Sequence, residues 1–272
     1  MTKLDLGSFG VVLSVTPDNA HLAEAAELEA LGYGTLWLPG GQIDRLDRIA
    51  ELAAATRSAK VGSAIIPVDV YDPAAVSGLY AELEASAPGR FVAGLGGPQR
   101  PRPIPALNDY LGQLKVPASR LILAALGPRK LELARDRAAG GILLLVTPGY
   151  VRTARELLGD QATLVVDIMV VLDPDAGPAR ETARAPLRFL SGVPGYRASF
   201  SRMGFTDAEV ESLADRLVDE LVLWGDPATV TARLAEFRDA GADHIALHVR
   251  NNPGQPASLS AARKLAPVVL RS

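Results

Sequence analysis

Eight short apolar runs, separated by segments with helical spacing, constrain the fold of this chain more than any other feature. Most of the runs are continuously apolar rather than alternating, which is typical of parallel strands covered on both faces. We therefore interpret them as buried strands. The runs are Phe9–Ser14, Thr35–Leu38, Lys60–Ile66, Arg90–Leu95, Leu121–Leu126, Gly141–Val146, Thr163–Leu172 and His244–Val249.

Helix start and stop signals lie in the segments between these runs. Asp72 is followed by Pro73, and Asp226 by Pro227, so each pair offers a capping side chain and a proline at the first helical position. Gly32 follows a helical apolar pattern and predicts its end. The chain is thus predicted to alternate between strand and helix.

Eight strands joined mostly by single helices predict a parallel sheet, and eight is the number that closes into a (β/α)8 TIM barrel. An open doubly wound sheet is the alternative. The barrel is favoured because no Gly-x-Gly-x-x-Gly motif follows the first strand. We expect one α/β domain over residues 1–272.

The long interval between the seventh and eighth strands predicts a helical insertion over about residues 174–225. Within it, Thr206 and Glu209 have the spacing of a capping box. The helix that they begin is expected to bury Val210, Leu213 and Leu217.

Charge and cysteine content exclude several classes of function. The net charge of −3 gives no basic field for nucleic acid or for an anionic membrane surface. The chain has no cysteine, which excludes disulfides, thiolate nucleophiles, iron–sulfur clusters and cysteine-type zinc sites. Neither a signal-peptide pattern at the start nor a window long and apolar enough to span a membrane is found. We expect a cytoplasmic protein that acts on a small molecule.

The predicted strand ends, where a barrel carries its chemistry, are poor in reactive side chains. None of the five lysines lies at the carboxyl end of a strand, where a Schiff-base enzyme needs one. The three histidines, His21, His244 and His248, form no metal-binding pattern. His244 and His248 share one strand face, and a structural role is favoured for both. Glycine-rich strand ends without acids or bases favour a site in which a cofactor supplies the reactive atoms.

The turn Ala125–Lys130 is the one positive signal at the barrel mouth. A strand ends there, Gly127 permits close approach, Pro128 begins a helix, and Arg129 and Lys130 occupy its first turn. Free N–H groups at a helix start attract anions, whereas cations there are otherwise unfavourable. We interpret the turn as a phosphate site, with an ordinary solvated turn as the alternative.

Five stretches, spread in order along nearly the whole chain, resemble the luciferase-like flavin- and deazaflavin-dependent oxidoreductases. The similarity is greatest to an actinobacterial subgroup of coenzyme F420-dependent oxidoreductases. The stretches are Leu31–Trp37, Pro88–Gly96, Leu123–Pro128, Asp215–Asp219 and Ala240–His244.

The resemblance implies a luciferase-like TIM barrel with an insertion near the seventh strand, and hydride transfer to or from a ring at the mouth. It implies a non-proline cis peptide at about Ala64–Ile65. It places the cofactor ring or its side chain near Gly96, Gly97 and Pro98, and the phosphate near four residues of the turn. These four are Leu126, Gly127, Arg129 and Lys130.

Departures from the family pattern leave the catalytic residues unassigned. Gly40–Gly41 stands where deazaflavin relatives often carry an acid and a histidine, and Gln99 stands where some carry a glutamate. Three hypotheses therefore remain: a coenzyme F420-dependent oxidoreductase, an FMN-dependent monooxygenase, or a cofactor-binding protein without turnover. The resemblance also suggests a homodimer.

Overall fold

The computed structural model describes residues 3–97 and 103–270. Strands and helices alternate along most of the chain, as the apolar pattern predicts. The strands are β1 Phe9–Val12, β2 Thr35–Pro39, β3 Lys60–Ala64, β4 Ile66–Pro67, β5 Phe91–Gly96, β6 Leu121–Ala124, β7 Gly140–Leu144, β8 Thr163–Val171, β9 Leu223–Trp224 and β10 His244–Val249. The helices are α1 Ala20–Leu31, α2 Asp47–Ala54, α3 Pro73–Ser86, α4 Pro103–Gln113, α5 Pro128–Arg137, α6 Pro148–Leu158, α7 Ala176–Leu190, α8 Pro194–Arg202, α9 Asp207–Ser212, α10 Asp215–Leu221, α11 Pro227–Asp239 and α12 Ser258–Val269.

The sheet closes on itself, so the predicted barrel is confirmed. Strand β10 pairs in parallel with both β1 and β8, and the remaining strands follow in chain order. Strands β3 and β4 together form one position in the barrel, because both pair with β5. The short β9 only extends the end of β8. The carboxyl ends of all strands consequently meet at one mouth.

The predicted third strand, Lys60–Ile66, is interrupted rather than continuous. Its ladder with β5 stops after Gly62 and resumes at Ile66, and the peptide bond between Ala64 and Ile65 is cis, as the resemblance implies. Ser63 bridges the interruption: its Oγ donates to the carbonyl of Gly94 at 2.9 Å and accepts from the Gly94 N–H at 3.0 Å. One side chain thus replaces two missing ladder bonds.

The predicted capping residues begin their helices as expected. Asp72 accepts from the backbone N–H of Ala75 at 2.8 Å, and Asp226 accepts from that of Thr229 at 2.7 Å. Gly32 ends α1 with a φ of 103°, a backbone conformation that glycine adopts without a Cβ penalty. Local signals therefore set the limits of these helices.

Apolar side chains form three cores. The largest lies between the barrel and the surrounding helices, and a second fills the barrel interior, where Trp37, Val92, Val165 and Ala246 are buried. A third lies beneath the insertion, where helices α7 to α10 pack on one another and on Val171 of β8. The insertion thus has a packed core of its own.

One detail of the insertion differs from the prediction. The Thr206–Glu209 capping box is present, and Val210, Leu213 and Leu217 are buried. The helix nevertheless ends at Ser212, because Leu213 adopts a left-handed conformation with a φ of 49°. Leu217 belongs to the next helix, α10. Within the described ranges, no helix has both the length and the apolar character needed to cross a bilayer.

Candidate active site at the barrel mouth

A cavity of about 230 Å³ opens at the carboxyl ends of β3 to β8. The amino end of α8, from the insertion, covers one side of it through Val193, Gly195 and Tyr196. The cavity brings together six of the nine residues predicted for cofactor binding. These are Ala64, Ile65, Gly96, Gly97, Leu126 and Lys130.

The floor of the cavity consists of residues with little or no side chain. Ala64, Gly96 and Ala124 line it from three neighbouring barrel positions. Gly96 cannot be enlarged without movement, because a Cβ there would lie 2.0 Å from Cδ1 of Ile65. The close approach leaves a shallow apolar surface that can accommodate a planar ring.

The predicted phosphate turn lies at the edge of this cavity. Gly127 is the N-cap of α5, and its carbonyl accepts the N–H groups of Lys130 at 3.0 Å and Leu131 at 3.1 Å. The guanidinium of Arg202, from α8, donates to the carbonyl of Leu126 at 3.2 Å and would lie 3.5 Å from a Cβ on Gly127. A cation from the insertion therefore covers the turn.

The two predicted cations of this turn point in different directions. Arg129 is exposed at the start of α5 and does not line the cavity, and neither does Gly127. The side chain of Lys130 enters the cavity, where its Nζ would lie 3.4 Å from a Cβ on Gly97, and burial lowers its pKa. The turn thus offers one cation to the cavity and two, Arg129 and Arg202, to its rim.

Polar groups lie on the opposite wall, from β8, β10 and α8. Asp167 lines the cavity from the middle of β8 and is only 5% exposed. Its Oδ1 is 3.3 Å from Nδ1 of His248, which is 8% exposed on the neighbouring strand. Tyr196 faces the cavity from α8; burial, with the charge of Asp167, raises the pKa of its phenol. The wall therefore presents an acid and a phenol to the cavity, and an imidazole lies beside the acid.

His244, at the other end of the same β10 face, has the structural role predicted for it. Its Nε2 accepts from the indole N–H of Trp37 at 3.0 Å, and its Nδ1 lies 2.7 Å from the carbonyl of Gly7. These bonds define a neutral ring with its proton on Nδ1. Burial lowers the pKa of His244 to about 4, against a smaller opposite effect of the Gly7 carbonyl.

Sequence reasoning missed three residues of this site: Asp167, Tyr196 and Arg202. A signal for Asp167 existed, since it is the only charged residue in the apolar run Thr163–Leu172. Tyr196 and Arg202 carried no such signal, because their approach depends on how the insertion folds over the mouth. Pro98, which was predicted to lie near the cofactor, and Gln99 lie outside the described residues.

Two further polar side chains near the mouth, Tyr110 and Asp69, have different surroundings. The hydroxyl of Tyr110 donates to the carbonyl of Tyr71 at 2.9 Å, so this side chain packs between helices rather than roofing the site. Asp69 does border the cavity, beyond β4. Among the described residues, no group of three His, Asp or Glu side chains is arranged to hold a metal ion.

The sequence pattern of the luciferase-like monooxygenase family matches residues 13–104. Solved structures of an F420-dependent dehydrogenase and an F420-dependent reductase match the fold over almost the entire chain. The protein has the luciferase-like barrel fold. A comparison with curated proteins found no match.

Three structures illustrate the likeness of this luciferase-like barrel to oxidoreductases. A coenzyme F420-dependent tetrahydromethanopterin reductase from Methanopyrus kandleri has a TM-score of 0.75 and 18% identity, covering 97% of this chain and 99% of that one. An F420-dependent secondary alcohol dehydrogenase in complex with an F420-acetone adduct has a TM-score of 0.73 and 17% identity, covering 98% of both chains.

The third structure uses the other cofactor. The oxygenating constituent of 3,6-diketocamphane monooxygenase from Pseudomonas putida, in complex with FMN, has a TM-score of 0.69 and 13% identity, covering 97% and 99%. At these identities the comparison establishes the fold.

Proposed function

We propose that this luciferase-like protein binds coenzyme F420 at the barrel mouth and exchanges a hydride between the deazaflavin ring and a small organic substrate. The observation that supports this most is the convergence at one cavity of Ile65, Gly96 and Lys130. These residues are far apart in the sequence, and all three were predicted as cofactor-binding from the sequence and its resemblance to a family. The bound ring would supply the hydride chemistry that the described side chains do not provide.

The residues at the floor fit a planar ring. Ala64, Gly96 and Ala124 offer an apolar surface without projecting side chains. Lys130 and Asp69 border the same cavity and can hydrogen-bond to polar edges of a ring. The combination of an apolar face with few polar groups is typical of cofactor pockets.

The rim fits an anionic cofactor tail. The turn lies at the amino end of α5, which favours negative charge, and Gly127 has no side chain to exclude an anion. Arg129 and Arg202 add two exposed cations at this rim. Coenzyme F420 carries a phosphodiester followed by carboxylates, so it offers charge to both cations.

FMN binding is the second candidate, because the FMN-bound monooxygenase from Pseudomonas putida has the same fold. FMN also presents a phosphate and a planar tricyclic ring. The two cofactors are distinguished by titrating the protein with each, alone and in competition. We expect coenzyme F420 to shift the unfolding temperature and change its own fluorescence at lower concentration than FMN does.

The titration has clear contrary outcomes. If FMN binds more tightly than coenzyme F420, the cofactor of this site is FMN. No response to either cofactor at saturating concentrations would overturn the proposal. Binding without reductase or oxidase activity towards any small substrate would favour a protein that binds the cofactor without turnover.

Two substitutions test the location of the site. We expect Gly96→Ala to weaken cofactor binding at least about tenfold, because the added Cβ would displace Ile65 over the floor. The matched control is Gly112→Ala, where a Cβ would have no neighbour within 4 Å. We expect Arg202→Ala to weaken binding by about tenfold through loss of a charge-assisted contact. Its control is Arg188→Ala, another exposed arginine of the insertion.

A further inference from the structure

Asp167 and His248 form a buried pair at the inner wall of the cavity. The carboxylate lies in the middle of β8, and His248 lies two residues beyond Ala246, the partner of Asp167 in the register of β10. Their side chains are 5% and 11% exposed, and Oδ1 of Asp167 is 3.3 Å from Nδ1 of His248. The two atoms face each other without good hydrogen-bond alignment, and neither has another partner among the described residues.

The apolar surroundings make the burial of these two ionisable side chains unfavourable in free energy. The neighbouring positions are apolar: Val165 precedes Asp167 on the inner face, and Leu144 of β7 and Ala246 of β10 flank it. Burying an ionisable group among such side chains is unfavourable unless a partner compensates. Buried ionisable groups that border a cavity are frequent at functional sites.

Both side chains belong to the inner wall of the barrel. Asp167 lines the cavity, whereas His248, on the neighbouring strand β10, does not. Oδ1 of Asp167 and Nδ1 of His248 are the enclosed atoms of the pair. An imidazole with a proton on the nitrogen that faces a carboxylate can donate to that carboxylate and hold it in place.

Tyr196 completes this wall from the insertion. It borders the same cavity as Asp167 and keeps its phenolic proton, since burial raises its pKa. A protonated phenol at this position can donate a hydrogen bond to an oxygen of a substrate. The remaining titratable groups of the cavity, Asp69 and Lys130, lie on the opposite side.

We infer that Asp167, backed by His248, moves the proton that accompanies hydride transfer, and that the substrate is a small alcohol or its carbonyl product held by Tyr196. This inference rests on the proposed function. In the oxidation, the carbinol carbon would lose a hydride with its electron pair to the bound ring. The electrons of the O–H bond would form the carbonyl π bond, and the proton would pass to the carboxylate of Asp167, which Nδ1 of His248 faces at 3.3 Å. The reduction reverses each transfer.

Asp167 offers a proton donor and acceptor where the family pattern offers none in this chain. The positions after the second and fourth barrel strands, where relatives carry acids or histidines, hold Gly40, Gly41 and Gln99. The proton-transferring group lies instead on β8, with its partner His248 on β10. Its residues lie on rigid strands, which keeps the distance between the two side chains nearly fixed.

The kinetic test uses short-chain secondary alcohols and their ketones with the cofactor-loaded protein. We expect Asp167→Asn to lower kcat at least about 100-fold, and His248→Gln at least about tenfold, with cofactor affinity unchanged within about twofold. Both variants should lose the pH dependence of kcat that the wild type shows. The matched control is His244→Gln, the same replacement at the opposite end of the strand face, and it should leave kcat within about twofold of the wild type.

A second measurement needs neither cofactor nor turnover. The nitrogen-15 resonance of His248 Nδ1 in the ligand-free protein reports whether a proton is held on the atom facing Asp167. We expect a proton on Nδ1 in the wild type. In Asp167→Asn the resonance should move towards that of an imidazole with mixed tautomers, while the resonances of His244 stay in place.

The possible outcomes separate the two proposals. Absence of cofactor binding by the wild type would overturn the proposed function itself. Binding with normal turnover in Asp167→Asn would overturn the proton role alone, and binding with no turnover of any alcohol or ketone would overturn the substrate class. An unchanged His248 resonance in Asp167→Asn would overturn the pairing. If Asp167→Asn does not fold, His248→Gln provides the same kinetic comparison.

Discussion

At the scale of single residues, the barrel mouth depends on a serine whose side chain makes the hydrogen bonds that a backbone ladder would otherwise make. Ser63 is fully buried, and its Oγ both donates to and accepts from Gly94 at the gap between β3 and β4. Gly94 is required beside it, because a Cβ there would lie 1.9 Å from the Ser63 carbonyl. This pair holds two strands together next to the floor of the cavity.

Ser63→Ala should therefore destabilise the protein by about 1–3 kcal/mol, because a buried N–H and a buried carbonyl lose their partner. Chemical unfolding of the variant measures this free energy. The control is Ser86→Ala, an exposed serine that donates to the carbonyl of Glu82 within α3. Equal stabilities for the two variants would show that Ser63 is dispensable.

At the scale of elements, helix α8 links the insertion to the barrel mouth. Its buried face carries Phe200, which contacts Tyr196 and Phe205 at ring-centroid distances of 6.2 and 6.5 Å. Helix α8 also carries Arg202, which lies at the predicted phosphate turn. The core of the insertion therefore positions two groups of the candidate site.

Phe200→Ala should cost about 3–5 kcal/mol through the cavity it leaves in this core. The same change should speed hydrogen exchange in α8 and weaken cofactor binding, since Tyr196 and Arg202 lose their support. Urea unfolding and hydrogen exchange measure the two effects. Phe189→Ala is the control, because Phe189 is 77% exposed at the end of α7 and should change stability by less than about 0.5 kcal/mol.

At the scale of the whole molecule, two groups make stability dependent on pH. Burial lowers the pKa of His244 to about 4 from its ordinary 6.5, so the unfolded chain binds a proton between these values and the folded protein does not. Partial burial raises the pKa of Glu29, but the N–H groups of Ala59, Ser58 and Arg57 outweigh it and lower the pKa to about 2 from 4.5. Both groups favour the unfolded chain on acidification.

The unfolding temperature should consequently fall as the pH is lowered from 6.5 to 4, with His244 contributing up to about 3 kcal/mol. Below pH 4.5, Glu29 should extend the decline towards pH 2. Thermal unfolding across this range provides the measurement. In His244→Gln the decline between pH 6.5 and 4 should be much shallower, and an unchanged slope would contradict the assignment.

The fold was largely predictable because its signals are local. Continuous apolar runs identified the strands, and side chains such as Asp72 and Asp226 identified helix starts. The gap in the third strand was not visible in the pattern, since Ser63 and Ala64 do not break an apolar run. The end of α9 at Leu213 was equally hidden, because a leucine with positive φ carries no sequence signal.

The site was predictable only in part. Gly127 and the cations of the turn before α5 indicated one side of the mouth. The resemblance to a known family indicated the floor of the cavity. The opposite wall depends on contacts across long sequence distances: Asp167 meets His248 only because β8 and β10 pair, and Tyr196 arrives from the insertion. The pattern of apolar and polar residues along the chain carries no information about such long-range contacts.

The hydrogen bond from Arg202 to Leu126 joins the insertion to the turn before α5 in the barrel. An anion bound at Gly127 would contact the barrel on one side and the insertion on the other. Binding of the anion would then order the helices of the insertion. A protease that cleaves α8 in the cofactor-free protein should consequently cleave it more slowly once the anionic part of the cofactor is bound.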